Sequence, residues 1–110
     1  MIQLFACLLL STQAHAAQAF HCAPKKGGLA FSGLSVFDGD PAGMADLAPD
    51  NADSPFPHHW TLTGAKPWLA CNYGPKQKRF SVQDLKTVFG RCDTFESKKG
   101  SGKFDSLRCE

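Results

Sequence analysis

Short apolar runs cut by glycine, proline and aspartate mark the chain from residue 28 to its end. "GLAFSGLSVF" (28–37) mixes aromatic, β-branched and small residues and stops at the turn pair Asp38-Gly39, which predicts a strand through Leu34–Phe37. "WTL" (60–62) resumes an extended course, and "KPWLACNY" (66–73) gives a stronger strand bounded by Pro67 and Gly74-Pro75. In "KRFSVQDL" (78–85), Phe80, Val82 and Asp84 share one face at a two-residue period. "KTVFGRCDTF" (86–95) continues extended, and "GKFDSLRC" (102–109) closes the domain after a hairpin-like turn at Gly100-Ser101-Gly102. Two segments interrupt this pattern. "PAGMADLAP" (41–49) predicts one short helical turn, with Asp40 as N-cap and Pro41 at the first position. "DNADSPFPHH" (50–59) holds turn formers and prolines and predicts an exposed loop. No stretch sustains apolar residues at helical spacing, so the expected class is all-β, a small antiparallel β-barrel or sandwich.

Residues 1–19, "MIQLFACLLLSTQAHAAQA", follow a different pattern. An apolar run from Leu4 to Leu10 precedes polar Ser11-Thr12-Gln13 and then small residues, the order of a secretory signal peptide. Cleavage is expected after Ala16 ("AHA") or Ala19 ("AQA"). The run is far shorter than the ~20 residues a membrane-spanning helix needs. Residues 20–110 then form one exported domain, periplasmic or secreted, with no membrane contact expected after cleavage.

Export changes the meaning of the cysteines. Cys7 leaves with the signal, and Cys22, Cys71, Cys92 and Cys109 remain, an even number that reads as two disulfides in an oxidising compartment. Three pairings are open. The favoured one joins Cys92 to Cys109 across a short loop and Cys22 to Cys71, tying the N-terminus to a central strand. A zinc site is the rival, but no C-x-x-C pair is present and the spacings are long.

Charge narrows the partners. A formal net charge of +2 is too small to imply nucleic acid or an anionic membrane. Its distribution is uneven. Between Leu34 and Pro57 every charged residue is acidic: Asp38, Asp40, Asp46, Asp50 and Asp53. From Lys66 onward bases outnumber acids, with clusters at Lys76-Gln77-Lys78-Arg79 and Lys98-Lys99. The aspartates are numerous enough for calcium, yet their spacing fits no calcium loop, and Asp38 and Asp40 serve as turn and cap first. No motif asks for a cofactor.

Catalysis finds little support. The histidines of the mature chain are His21, His58 and His59, and neighbours on an extended chain point opposite ways, so His58 and His59 do not face one substrate. The cysteines are expected to be oxidised, and no serine sits in a G-x-S-x-G context. Trp60 and Trp68 flank a turn at Thr63-Gly64-Ala65 and are expected in the core.

The stretch "AFSGLSVFDGDPAGMADLAPD" (30–50), followed by "PWLACNY", "RCD" and a terminal "LRC", resembles a family of small exported proteins of Gram-negative bacteria. These share a G-[VL]-x-V-F-D-G-x-P turn, matched by Gly33 to Pro41, a W-L-x-C-x-Y strand, matched by Trp68 to Tyr73, and two late cysteines. More distantly, the architecture is similar to the periplasmic inhibitors of C-type lysozyme, disulfide-bearing β-domains that insert a Ser-Gly-x-[KR]-[YF] loop into the enzyme's cleft. Here Ser101, Gly102, Lys103 and Phe104 match that loop with one residue missing between Gly and Lys. The resemblance implies a non-enzymatic inhibitor or immunity factor whose partner is a peptidoglycan-degrading enzyme. Lys103 would reach the paired carboxylates of such an enzyme, or the Asp38 and Asp40 surface would meet a basic one. An envelope binding module of another ligand, or a small hydrolase using His58 or His59, are the alternatives.

Overall fold

A computed structural model describes residues 16–43, 45–63 and 66–110 of the chain. The expected signal segment as far as residue 15, Met44 of the expected helical turn, Gly64-Ala65 of the turn between the tryptophans, and the side chain of Phe80 lie outside the described residues. The strands are β1 (Gln18–His21), β2 (Lys25–Lys26), β3 (Leu29–Phe37), β4 (His59–Thr61), β5 (Trp68–Tyr73), β6 (Lys78–Asp84), β7 (Arg91–Phe95) and β8 (Ser106–Cys109). They form two four-stranded antiparallel sheets, ordered β1-β8-β7-β4 and β2-β3-β5-β6. The chain is therefore an all-β sandwich. Neither sheet closes into a barrel, because β1 and β4 end the first sheet and β2 and β6 end the second.

Alternation along the strands explains the core. In β3 and β5, Val36 stands opposite Leu69 and Leu34 opposite Cys71, and these side chains point toward the first sheet. From the other side come Trp60 of β4, Cys92 of β7, and Leu107 and Cys109 of β8. Leu62, Leu85 and Phe89, on the connections, seal the sandwich. Trp60 is the tryptophan that joins the core. Trp68 lies half-buried beside Phe37, its cross-strand partner, on the outer face of the second sheet. Val82 is on that outer face as well and stays exposed, and Asp84 stands opposite Trp68 there, so the face expected to carry Val82 and Asp84 is not the core face.

Two expectations are corrected by hydrogen bonding. The helical turn at 41–49 does not form, and no helix occurs among the described residues. Asp40 Oδ1 accepts from the Ala42 N–H at 2.9 Å and the Asp40 carbonyl accepts from Gly43 N–H at 3.2 Å, which caps a single turn. Beyond it the Leu47 N–H donates to the Val36 carbonyl at 2.8 Å, and the Leu47 carbonyl accepts from Trp60 Nε1 at 3.0 Å. Groups committed to β3 and Trp60 in this way are lost to a helical ladder. The extended run expected over 86–95 is a strand only from Arg91, since Asp84 Oδ1 accepts from Lys86 N–H and Lys86 turns at φ 62°.

The strands missed in the sequence are β1 and the two-residue β2. Gln18 and Ala19 stand opposite Cys109 and Arg108, and Phe20 packs edge-on against Phe89 with centroids 6.2 Å apart.

The disulfides are Cys22–Cys71 and Cys92–Cys109, the favoured pairing. The first ties the end of β1 to β5 and so bolts one sheet to the other. The second joins directly opposed residues of β7 and β8. With sequence separations of 49 and 17, the chain-entropy model assigns about 4 and about 3 kcal/mol respectively. Urea unfolding of Cys22→Ser/Cys71→Ser and Cys92→Ser/Cys109→Ser proteins is expected to show losses in that order. Equal or reversed losses would refute the ranking.

Candidate functional site

Between the sheets at one side opens a cleft of about 490 Å³. One wall is β3 from Phe31 to Ser35, where a bulge between Phe31 and Gly33 takes Ser32 out of the ladder. The floor includes Trp60 and Thr94 of the first sheet. The rim is made by three connections: the β3–β4 segment contributes Asp46, Leu47, Phe56 and His58, the β5–β6 turn Gln77, and the β7–β8 loop Gly102 to Phe104. Ser35 also lines the cleft. Its hydroxyl accepts from Asn72 Nδ2 at 3.0 Å, which leaves its own proton for another acceptor.

The dominant feature of the rim is a stack of three rings. Phe56, 51 % exposed, lies parallel to Phe104 at 4.9 Å and 11°, and its other neighbour is the His58 ring at 4.1 Å. Each loop holds its ring by satisfying backbone groups with short polar side chains. On the first loop Asn51 accepts from His59 N–H and donates to the Pro57 carbonyl, both at 3.0 Å. Thr94 Oγ1 accepts from His58 N–H at 2.9 Å, and His58 Nε2 lies 3.0 Å from the Ser54 carbonyl. The Pro-rich segment is thus a fixed platform.

The loop from Glu96 to Asp105 is built the same way. Gly100 and Gly102, at φ 86° and 77°, turn their N–H groups onto the Glu96 carboxylate. Lys103 N–H donates to Ser101 Oγ at 3.1 Å, and Asp105 accepts from Ser97 N–H at 3.0 Å and from Ser97 Oγ at 2.9 Å. Of the residues singled out in the sequence, Ser101, Gly102 and Lys103 are exposed at the tip and Phe104 is half-buried in the stack. Gly102, Lys103 and Phe104 border the cleft. Asp38 and Asp40 lie apart from it, beyond the end of β3. Asp46 is the member of the acidic stretch that reaches the rim. Phe56 was not singled out in the sequence, although a lone aromatic between prolines in a polar loop was the available signal.

The polar clusters elsewhere are structural in form. His21 Nδ1 is 2.7 Å from Ser106 Oγ, and that hydroxyl donates to Asp105 Oδ1 at 3.2 Å. A serine, a histidine and an aspartate meet, but both partners bind the serine instead of forming a relay through the imidazole. Ser106 is 0 % exposed, so no substrate reaches its oxygen. His59 Nε2 faces Asp50 at 3.6 Å, away from His58, as alternation on an extended chain requires. Among the described residues no three His, Cys, Asp or Glu side chains converge as a metal site.

Burial works to raise the Asp105 pKa, but the hydrogen bonds from Ser97 and Ser106 outweigh it and hold the carboxyl below its ordinary value. A depressed folded value contributes stability above the unfolded pKa that is lost as pH falls through the folded one. Acid unfolding followed by circular dichroism is expected to show this contribution vanishing below about pH 4, and Asp105→Asn is expected to flatten that limb. An unchanged limb in the variant would refute the assignment.

The Type VI secretion system Tli immunity protein family matches residues 24–110, from just before β2 to the C-terminal Glu110. No curated protein and no solved structure matches the chain. A match over this span covers both sheets apart from β1, and the chain belongs to the family of Type VI secretion system Tli immunity proteins.

Proposed function

We propose that the protein is exported and neutralises its cognate type VI effector by docking it at the aromatic rim of the cleft, with no chemistry of its own. Family membership supports an immunity protein that binds a secreted toxin. The observation that carries the location is the Phe56–Phe104 stack, an apolar surface held rigid at a concave site. Exposed aromatics of this kind act as anchors in protein interfaces because little side-chain entropy is lost on binding. Lys103 beside the stack adds charge, and the Asp38 and Asp40 surface plays no part.

The oxidised cysteines and the signal-like N-terminus support the envelope as the place of action. Cleavage after Ala16 keeps β1 whole, whereas cleavage after Ala19 removes half of its pairing with β8. N-terminal sequencing of the exported protein is expected to begin at Ala17. A start at Phe20 would contradict this.

Inside the envelope a toxin can attack peptidoglycan or membrane lipid. The likeness of Ser101 to Phe104 to the lysozyme-inhibitor loop supports a peptidoglycan-degrading target. A second reading follows from the rim itself. Phe104 is tied into a stack and presents an apolar face, which suits the apolar lip around the acyl-chain groove of a lipid-ester hydrolase better than an acidic glycan cleft.

The test is killing of a strain that lacks this gene by its own parent. The strain is expected to die, and the wild-type gene to rescue it. Phe56→Asp is expected to weaken protection by about 2 kcal/mol of binding, a drop of roughly 30-fold. Lys103→Glu should weaken it less, and Asp38→Lys with Asp40→Lys should not. Survival of the uncomplemented strain would remove the immunity reading, and full rescue by Phe56→Asp would remove the cleft. Inhibition assays with the purified effector on sacculi and on phospholipid vesicles separate the two target classes.

A further inference from the structure

The second sheet is electrically one-sided. From Cys22 to Phe37 and from Trp68 to Gln83 the sequence has no acidic residue, so β2, β3 and β5 carry no carboxylate at all. Asp84 ends β6 opposite Trp68, at the end of the sheet that leads to Asp38. The other end holds Lys25 and Lys26 of β2, paired with Ala30 and Leu29, and Lys76 and Lys78 at the β5–β6 turn. All four lysines are exposed. Among the described residues the ion pairs are His59–Asp50 and Arg91–Asp93, and neither uses a lysine.

The register that gathers these charges also shapes the surface between them. Gly74 donates its N–H to the Ala30 carbonyl at 2.8 Å, which brings the turn beside the β2–β3 hairpin. At φ 80° it also leaves room for Leu29, whose Cδ1 would lie only 3.1 Å from a Cβ placed there. The result is a dimple of about 160 Å³, walled by Leu29, Tyr73 and Pro75 and flanked by Lys76 and Lys78. This basic end is continuous with the cleft. Gln77, between the two lysines, lines the cleft, and so does Phe31, whose ring meets Tyr73 edge-on at 6.1 Å.

We infer that the lysine end of the second sheet is a second contact surface for the effector, and that it receives an acidic patch flanking the segment seated in the cleft. The inference rests on the cleft reading above. Four uncompensated cations beside an apolar docking site repel a basic partner and steer an acidic one, so they act on encounter and on discrimination between effectors. An anionic membrane is the poorer fit. Membrane-seeking surfaces set large exposed apolar side chains among their cations. Among the described residues the exposed ones are Phe56, Val82 and Val88, none of them among the four lysines.

The deciding experiment uses the same gene-deleted strain, mixed with its parent. It is complemented with Lys25→Glu, Lys26→Glu, Lys76→Glu and Lys78→Glu together, and separately with the four Lys→Gln changes. Export level and mobility without reductant show whether each protein is folded. If the fourfold variant is not exported normally, the pairs Lys25→Glu/Lys26→Glu and Lys76→Glu/Lys78→Glu replace it. Charge reversal is expected to lower survival about tenfold or more, and neutralisation to lower it less. Full rescue by the reversed protein, while the uncomplemented strain dies, overturns this inference and leaves the cleft standing. Survival of the uncomplemented strain overturns both. Binding of the wild-type protein to vesicles of phosphatidylglycerol and phosphatidylcholine in about equal parts, abolished by reversal while protection persists, also overturns it.

Discussion

The position of one sheet over the other is the constraint on which the cleft depends, and the Cys22–Cys71 bond fixes it covalently. Phe31 and Ser35 belong to the second sheet, whereas Trp60 and Thr94 belong to the first. A domain of this size has too thin a core to hold two sheets in register by apolar contact alone. The bond acts where the chain passes from β1 toward β2, and the Tyr73 hydroxyl donates to the Ala23 carbonyl at 2.9 Å just beyond it. Covalent and hydrogen-bonded links thus converge at one crossing between the sheets.

A rigid frame of this kind lets long connections do specific work. The segment after β3 would be expected to be loose, given its prolines and aspartates. Instead Trp60 pins Leu47, Asp50 Oδ2 accepts from both the N–H and the hydroxyl of Thr61 at 2.9 and 2.6 Å, and Asn51 bridges to His59 and Pro57. These short side chains were read as turn formers, which they are. Their second role, presenting Phe56 at a fixed place, follows from where β4 runs.

The sequence spoke most clearly where a property is local. Alternation and turn residues located β3, β5 and β6, and cysteine parity, read with the expectation of export, led to the two disulfides. Local cues failed where a distant strand claimed the backbone. Asp40 and Pro41 are good helix openers, but the Val36 carbonyl takes the N–H of Leu47, and the turn at Asp40 does not continue into a helix. Gln18 to His21 has weak strand character of its own and gains it from β8, residues far along the chain. The cleft was illegible for the same reason. Its rim joins Leu47, Phe56 and Phe104, and only the crossing of the sheets brings them together. Of the loop picked out in the sequence, Gly102, Lys103 and Phe104 border the cleft, and Phe104 packs against Phe56.

That packing changes what the loop can do. An inserting finger needs a side chain that leaves its own domain and fills a partner's pocket, and the Glu96 carboxylate already gathers this tip inward through Gly100 and Gly102. A ring stacked at 4.9 Å on its neighbour would have to break that stack before entering anything. The lower-cost arrangement keeps Phe56, Phe104 and His58 together and lets a projecting segment of the partner settle against them. On the proposed reading the immunity protein would supply the socket, and its selectivity would lie in the shape and charge of the rim.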